Sequence, residues 1–430
     1  MSLRDLAPIV LVAGLVVLAS PAAAESVYGC AGLDGRTSLP GLEGEGGVFY
    51  RINPDLRMFQ PLSEETMADM ADLARALEGS GTTLIYAPLP TKSLAMPDQL
   101  PPEAQDLGFD VGIATTMHAR MLERLAARGV RTADLRHALR AGAGEEPSMF
   151  ATDYRLTSAG ARRAASAIAG ALSAAPGFDA LPKGQFRTVS AGTLTLPSDM
   201  RSALQRHCMT RLPEVTTEVF SLTRTDRAAL GAAAGAVQVV LVGTEHSGEA
   251  AVNLAGFVSE ATGLQVAHHS VTGGGAFAAI SSYLTSQAFR DAPPAYLVWI
   301  NPVDQNPARP GDQPMRELIA AAGDTCRADV PLTPAARPDT VTADLTGLPR
   351  DRRVTLLLAA DWIPATAARF DFMSADGLIR SRSITRHPGQ VRTGRFYMPM
   401  TGLWPEGVAR VQIVLDVPFG ATTRLIACHD

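Results

Sequence analysis

Beyond the N-terminal run from Ile9 to Ala19, this 430-residue chain has no apolar stretch approaching the roughly 18 uninterrupted residues of a helical membrane span. A second span of that kind is excluded. Cysteine is scarce: the four residues stand at 30, 208, 326 and 428, and their wide spacing excludes a zinc cluster, which needs close pairs such as C-x-x-C. Net charge is small too. At a formal -5 the chain has no general attraction for nucleic acid or anionic membranes, so an anionic partner must meet a local basic patch.

What is present begins with an export signature. Arg4, the Ile9 to Ala19 run and the small residues Ala22, Ala23 and Ala24 make residues 1–24 a secretory signal, with cleavage expected before Glu25. An uncleaved N-terminal anchor is the alternative. An even cysteine count in an exported chain implies two disulfides, and four cysteines allow three pairings. If Cys326 pairs with Cys428, the closed loop of about 100 residues stabilises by up to ~4.7 kcal/mol on the chain-entropy account. That pairing also sets a domain boundary just before Cys326. With 46% hydrophobic and 19% charged residues, the chain can bury two cores.

Patterning then orders the elements. Ser63 caps a helix that carries Glu64 and Glu65 in its first turn and stops at Gly79; a strand follows from Thr83 to Ala87. A second helix over Val111 to Arg128 and a third over Ser158 to Ala171 precede an irregular stretch from Ala174 to about Met200. The strand Val237 to Val242, helix Glu249 to Ala261, strand Gln265 to Ala267, helix Ala276 to Phe289 and strand Tyr296 to Ile300 complete an alternation that predicts a parallel sheet of four or five strands covered on both faces. Proline, aspartate and arginine rise through Asn306 to Pro338 as in a linker. Six short segments between Val354 and Ala427 then alternate as the strands of a β-sandwich.

The segment VVLVGTEHS, Val239 to Ser247, runs an apolar strand into a tight Gly-Thr turn, the place where a serine hydrolase presents its nucleophile. It joins GVFYRINPDLRMF from Gly47, the Pro-Thr-Lys turn of LIYAPLPTKSLAMP, TDYRLTSAGARRAA around Asp153, CMTRLPEV from Cys208, and SSYLTSQAFRDAPPAYLVWINP. In order and spacing these segments resemble the alginate O-acetylation proteins of the AlgX and AlgJ type, and AlgX most strongly. The resemblance spans nearly the whole mature chain. It implies a periplasmic protein with a three-layer α/β/α SGNH-hydrolase-like domain over 25–325 and a C-terminal carbohydrate-binding β-sandwich over 326–430. It also fits disulfides Cys30–Cys208 and Cys326–Cys428.

In that family a serine attacks an acetyl donor, a histidine takes its proton and an aspartate orients the imidazole. Carried over, the aspartate falls on Asp153, the histidine on Arg155 and the serine on Glu245. Arginine stays protonated and cannot act as the base, and an acyl group on Glu245 would be a mixed anhydride with no triad to resolve it. The expectation is therefore a pocket refitted by an Arg155–Glu245 ion pair, with Asp153 beside it. Ser247 with His246 is the possible rescue, and Glu245, His246, Glu249, His268 and His269 are a weaker metal-ligand alternative. No metal or cofactor is expected. The glycine-rich turn Ser270 to Gly275 has amides that could hold an oxyanion, against the alternative of a plain connecting loop.

Substrate contacts are expected from Lys92, as a cleft cation or a solvated loop residue, and from Arg380 and Arg382, which share one face of a strand. Arginine forks suit the carboxylates of a uronic-acid polymer, and Trp362, Tyr397 and Trp404 could stack on sugar rings. The resemblance implies an anionic-polysaccharide partner, with other exopolysaccharide biosynthesis or export proteins as further candidates, and the net charge implies no nucleic acid. The function expected from the resemblance is polymer binding or scaffolding in exopolysaccharide O-acetylation. The rival is an active O-acetyltransferase that uses Ser247 or Glu245.

Overall fold

The structure, a computed structural model, describes residues 26–429 apart from 36, 37, 59–61, 141, 143, 227–235, 324, 350–352, 361 and 362. The signal segment and Trp362 lie outside the described residues.

Five parallel strands form the first sheet, in the order Arg131–Thr132, Thr83–Leu89, Tyr296–Pro302, Val239–Gly243, Val266–Ser270. Apolar residues run without a break along the three central strands because both faces are covered. Ile85, Leu241 and Val298 pack against helices Ser158–Ser173 and Leu254–Thr262, through Ala164, Ile168 and Phe257. Their neighbours Leu84, Val240 and Trp299 face Met70 and Leu73 of helix Glu64–Gly79 and Leu318 of helix Gln313–Ala322. The expected three-layer α/β/α architecture is present. Its caps follow the sequence: Ser63 accepts from the Thr66 amide, Asp110 from that of Ile113 and Thr157 from that of Gly160.

The second half is a sandwich of antiparallel sheets. Four strands, Cys326–Val330, Arg424–His429, Val354–Ala359 and Arg395–Pro399, face five, Thr333–Pro334, Thr340–Asp344, Arg410–Leu415, Ala367–Met373 and Ile379–Thr385. Leu356, Leu358, Phe370, Phe372 and Ile413 fill the space between them. Both disulfides are formed, Cys30–Cys208 and Cys326–Cys428.

Three expectations need correction. The stretch taken as irregular holds strand Phe186–Thr195, paired antiparallel with Thr216–Arg224 and broken by a register shift near Gly192, where φ is 109°. Most of that strand is exposed, so it lacks the apolar alternation that marks a half-buried one. The helix expected from Ala276 to Phe289 is two, Ala278–Leu284 and Gln287–Asp291, because Ser286 caps the second. The supposed linker contains helix Gln313–Ala322, whose Met315, Leu318 and Ile319 sit at helical spacing and are buried. In that helix Arg316 pairs with Asp69 at 2.8 Å, and Glu317 pairs with Arg386 of the sandwich. Leu357 and Tyr397 of the sandwich share a core with Trp299 and Leu318, so the two halves are packed together.

Candidate functional site

The crevice where an open α/β sheet binds ligands lies at the carboxyl ends of its strands. There Val239–Gly243 ends in Gly243, and a Cβ at that position would stand 2.6 Å from the Ile300 carbonyl oxygen and 2.7 Å from the Ser247 hydroxyl, so the turn requires glycine. One short helical turn, Glu245–Gly248, follows. Glu245 and His246 line a cleft of about 380 Å³ together with Arg51, Tyr154, Asp199 and Asp304.

The charges pair differently from expectation. Arg155 does not meet Glu245. Its Nε and Nη2 donate to the two Asp153 oxygens, each at 3.0 Å, Nη1 donates to Glu249 at 3.1 Å, and Nη2 also reaches the Pro197 carbonyl at 2.6 Å. Glu245 instead accepts from the Tyr154 hydroxyl at 3.1 Å and from the Gly273 amide at 3.2 Å. Tyr154 and Arg155 are chain neighbours whose side chains diverge, so each takes a different acid. The glycine-rich turn does hold an anion, and that anion is the protein's own Glu245 carboxylate.

Protonation follows from these contacts. Burial would raise the Asp153 carboxyl, but hydrogen bonds from Arg155 and Ser198 outweigh it and hold Asp153 below the usual carboxylate range. Burial likewise opposes ionisation of Glu245, and His246, its own amide, the Gly273 amide and Tyr154 together bring it below its ordinary value. Burial pushes His246 down to about 4, so at neutral pH the imidazole is uncharged. Its Nδ1 is buried with no hydrogen-bond partner among the described residues, and its ring meets Tyr154 edge-on at 5.5 Å. Asp304 is raised by burial.

Ser247 offers no dyad. Its hydroxyl donates to the Thr244 carbonyl at 2.9 Å, and on a helical turn it points away from its neighbour His246. Among the described residues no group of three or more His, Cys, Asp or Glu is placed to hold a metal ion, so the alternative built on Glu245, His246, Glu249, His268 and His269 has no geometric basis.

Lys92 is neither a cleft cation nor a solvated residue. It is 1% exposed, and its ammonium donates to the carbonyls of Phe150 at 2.6 Å, Ala151 at 2.9 Å and Asp153 at 3.0 Å, pinning the loop that carries Tyr154 and Arg155. Arg380 and Arg382 do share a face, but it is the inner one. Their cross-strand partners are Phe372 and Phe370, so both guanidiniums turn to the sandwich rim. There Arg382 donates to the Pro399 and Thr401 carbonyls, each at 2.7 Å, and Arg380 to those of Gly402 and Leu403 while its carbon lies 4.8 Å from the Trp404 ring centre. Trp404 lines a rim groove of about 510 Å³. Sequence reasoning missed a groove of about 540 Å³ on the outer face of the five-stranded sheet, lined by Arg369, Ser383, Thr385 and Gln412. The signal was there in the alternate positions of three adjoining strands.

A parallel sheet in three layers, with its cleft at the Gly243 turn and an antiparallel sandwich behind it, defines an SGNH-hydrolase-like protein with an appended β module. A family model described as "SGNH hydrolase-like domain, acetyltransferase AlgX" matches residues 46–302, and the chain belongs to that family. It is 30% identical over 253 residues to the alginate biosynthesis protein AlgX of Pseudomonas aeruginosa, covering 58% of this chain and 53% of that protein. It is 25% identical over 251 residues to the probable alginate O-acetylase AlgJ of Pseudomonas syringae pv. tomato, covering 57% and 63%. In sequence, therefore, the chain spans about half the length of the AlgX relative it matches. The solved structure of Pseudomonas aeruginosa AlgX superposes with a TM-score of 0.76 at 22% identity, over 91% of this chain and 94% of that one, a likeness of fold.

Proposed function

We propose that this protein is an exported, periplasmic subunit of alginate-like polyuronate O-acetylation and biosynthesis that binds the polymer, and that its family catalytic centre no longer transfers acyl groups. The relatives named for alginate biosynthesis support the process. One observation carries the rest: the glutamate at the nucleophile position is held by Tyr154 and the Gly273 amide, while Arg155 at the base position is locked onto Asp153 and Glu249. The Ser247 hydroxyl is turned to the Thr244 carbonyl and not to the neutral His246 imidazole, and the Gly273 amide that would steady an oxyanion is already used by Glu245. The active-transferase alternative needs Ser247 or Glu245 to be free, and both are hydrogen-bonded.

With the chain divided into 25–325 and 326–430, the sandwich is the part proposed to bind the polymer. Its outer sheet face offers Arg369, 56% exposed at its side chain and paired with Asp371 at 2.9 Å, beside Gln412, so that a uronate carboxylate would share the guanidinium with Asp371 and its hydroxyls would meet Gln412. Arg380 and Arg382 serve the module by closing its rim, and Trp404 offers an apolar edge. Other exopolysaccharide biosynthesis or export proteins are the remaining partners proposed.

Two assays test this. Purified mature protein should release nothing above buffer background from a chromogenic acetyl ester, and turnover removed by Glu245→Gln or Ser247→Ala would refute the non-catalytic reading. On an affinity gel containing a polyuronate the protein should be retarded, and Arg369→Ala should weaken that retardation. Unretarded wild-type protein refutes polymer binding.

A further inference from the structure

The loop that joins the two sheets of the sandwich, residues 386–394 between strands Ile379–Thr385 and Arg395–Pro399, lies against the SGNH-like half. It is fastened along helix Ala278–Leu284. Arg386 Nη1 donates to the Ser281 hydroxyl at 2.7 Å, Gln390 Nε2 to the Ala278 carbonyl at 2.9 Å and the Val391 amide to the Ser282 hydroxyl at 2.9 Å. Thr393 meets Thr285 at 3.3 Å. Positions 278, 281, 282 and 285 follow helical spacing, so one face of the helix takes the whole loop. The loop also braces itself. Gln390 Oε1 accepts from the His387 amide at 2.5 Å, and His387 Nδ1 accepts from the Gly389 amide at 3.1 Å.

This braced turn presses on the glycine-rich segment that serves the cleft. A Cβ on Gly389 would stand 3.2 Å from Val271 Cγ1, and one on Gly273 would stand 4.0 Å from His387 Nε2. The segment is held from its other side by the first half. There the Val271 amide donates to the Gly243 carbonyl at 3.1 Å, and the Gly273 amide donates to Glu245. The glycine-rich turn is thus clamped between a loop of the sandwich and the strand that leads into the cleft. Gly273 and Gly275 have φ of 70° and 66°, in a region where glycine moves freely, so this backbone changes shape readily once one clamp loosens.

At its start the loop grows out of the outer groove. Ser383 and Thr385 line that groove, and the next residue, Arg386, reaches Glu317 and the Ser281 hydroxyl. We propose that residues 386–394 are a strap through which occupancy of the outer groove sets the state of the Glu245 cleft. A chain lying on Ser383 and Thr385 fixes the end of their strand, steadies the strap and keeps the Gly273 amide on Glu245. Ordering one part of a contact network lowers the cost of ordering the next. The identity of the occupant rests on the polymer binding proposed above, whereas the strap and the turn it clamps do not depend on what fills the groove.

Hydrogen exchange of the mature protein, read by mass spectrometry on peptides spanning 270–276 with and without a saturating oligouronate, tests this. Exchange there should slow about fivefold on binding, the low end of coupling between distinct sites. Helix Leu254–Thr262, which packs on the opposite face of the sheet, is the internal reference and should not change. Gln390→Ala, which removes the bond to Ala278 and the brace at His387, should speed exchange at 270–276 without ligand and erase the response to the oligomer. If Gln390→Ala also speeds the reference helix, Ser282→Ala, which frees the Val391 amide and the His269 ring, is read in its place by the same criteria. An oligomer that binds without altering exchange at 270–276, or a response that survives the variant, overturns the proposal and leaves polymer binding standing. If no oligomer binds, polymer binding fails, and the variant alone decides. Faster exchange at 270–276 against an unchanged reference then supports the strap, and unchanged exchange overturns it.

Discussion

Arg155 has all three guanidinium nitrogens engaged, two of them on an aspartate that is only 2% exposed. Removing the arginine leaves the Asp153 carboxylate buried without a counter-charge, a situation that costs about 3 kcal/mol in comparable sites. Arg155→Ala should lower the free energy of unfolding by that order, read as a reduced urea midpoint at unchanged slope. Lys92 makes a prediction of opposite character. Burial, opposed by Asp55 and Asp153, brings its pKa down to about 7 from the ordinary 10.5. Between those values the unfolded chain holds a proton that the folded protein has shed, so stability rises with pH through this window, by about 1.4 kcal/mol per pH unit at most. Urea titrations from pH 7 to 10 should show this rise, and Lys92→Met should flatten it. At this scale the odd residues were legible in the chain, but their partners were not. Glu245 and Arg155 stood out because a serine and a histidine were expected, yet only the divergence of Tyr154 from Arg155 decides that Glu249 receives the arginine.

Among the elements, helix Gln313–Ala322 carries the most structural responsibility for its length, since it packs on helix Glu64–Gly79 and on strand Arg395–Pro399 of the sandwich. Leu318 is fully buried within the core that joins the two halves. Leu318→Ala should cost about 2–5 kcal/mol as a cavity at that seam, and limited proteolysis should then cut between the halves faster than in the wild type. The helix was hidden because Asn306, Pro307, Pro310 and Asp312 give its approach a linker's composition, while its stripe is only three apolar residues long. Strand Phe186–Thr195 was hidden for the reverse reason: its exposed faces carry no pattern, and its evidence is its partner strand. Strands buried on one or both faces, such as Val354–Ala359 and Tyr296–Pro302, were legible because burial dictates their residues.

Across the whole molecule, the order of layers, the parallel sheet, the sandwich and both disulfides followed from the sequence and its resemblance. The packing of one half on the other did not. That packing depends on Arg386, which reaches Glu317 and the Ser281 hydroxyl from the sandwich side, contacts between residues with no shared pattern in the chain. The same limit applied to Arg380 and Arg382: period two showed that they share a face, but the register against Phe370 and Phe372 was needed to tell which face. The central proposal concerns the Glu245 cleft and the neighbouring Arg155, the positions to which the resemblance assigns the nucleophile and the base. Incubating the mature protein with an activated acetyl ester and measuring its intact mass tests that claim most directly. The account predicts no covalent acetyl adduct, whereas the mass of one added acetyl group, mapped by peptide analysis to Glu245 or Ser247, would contradict it.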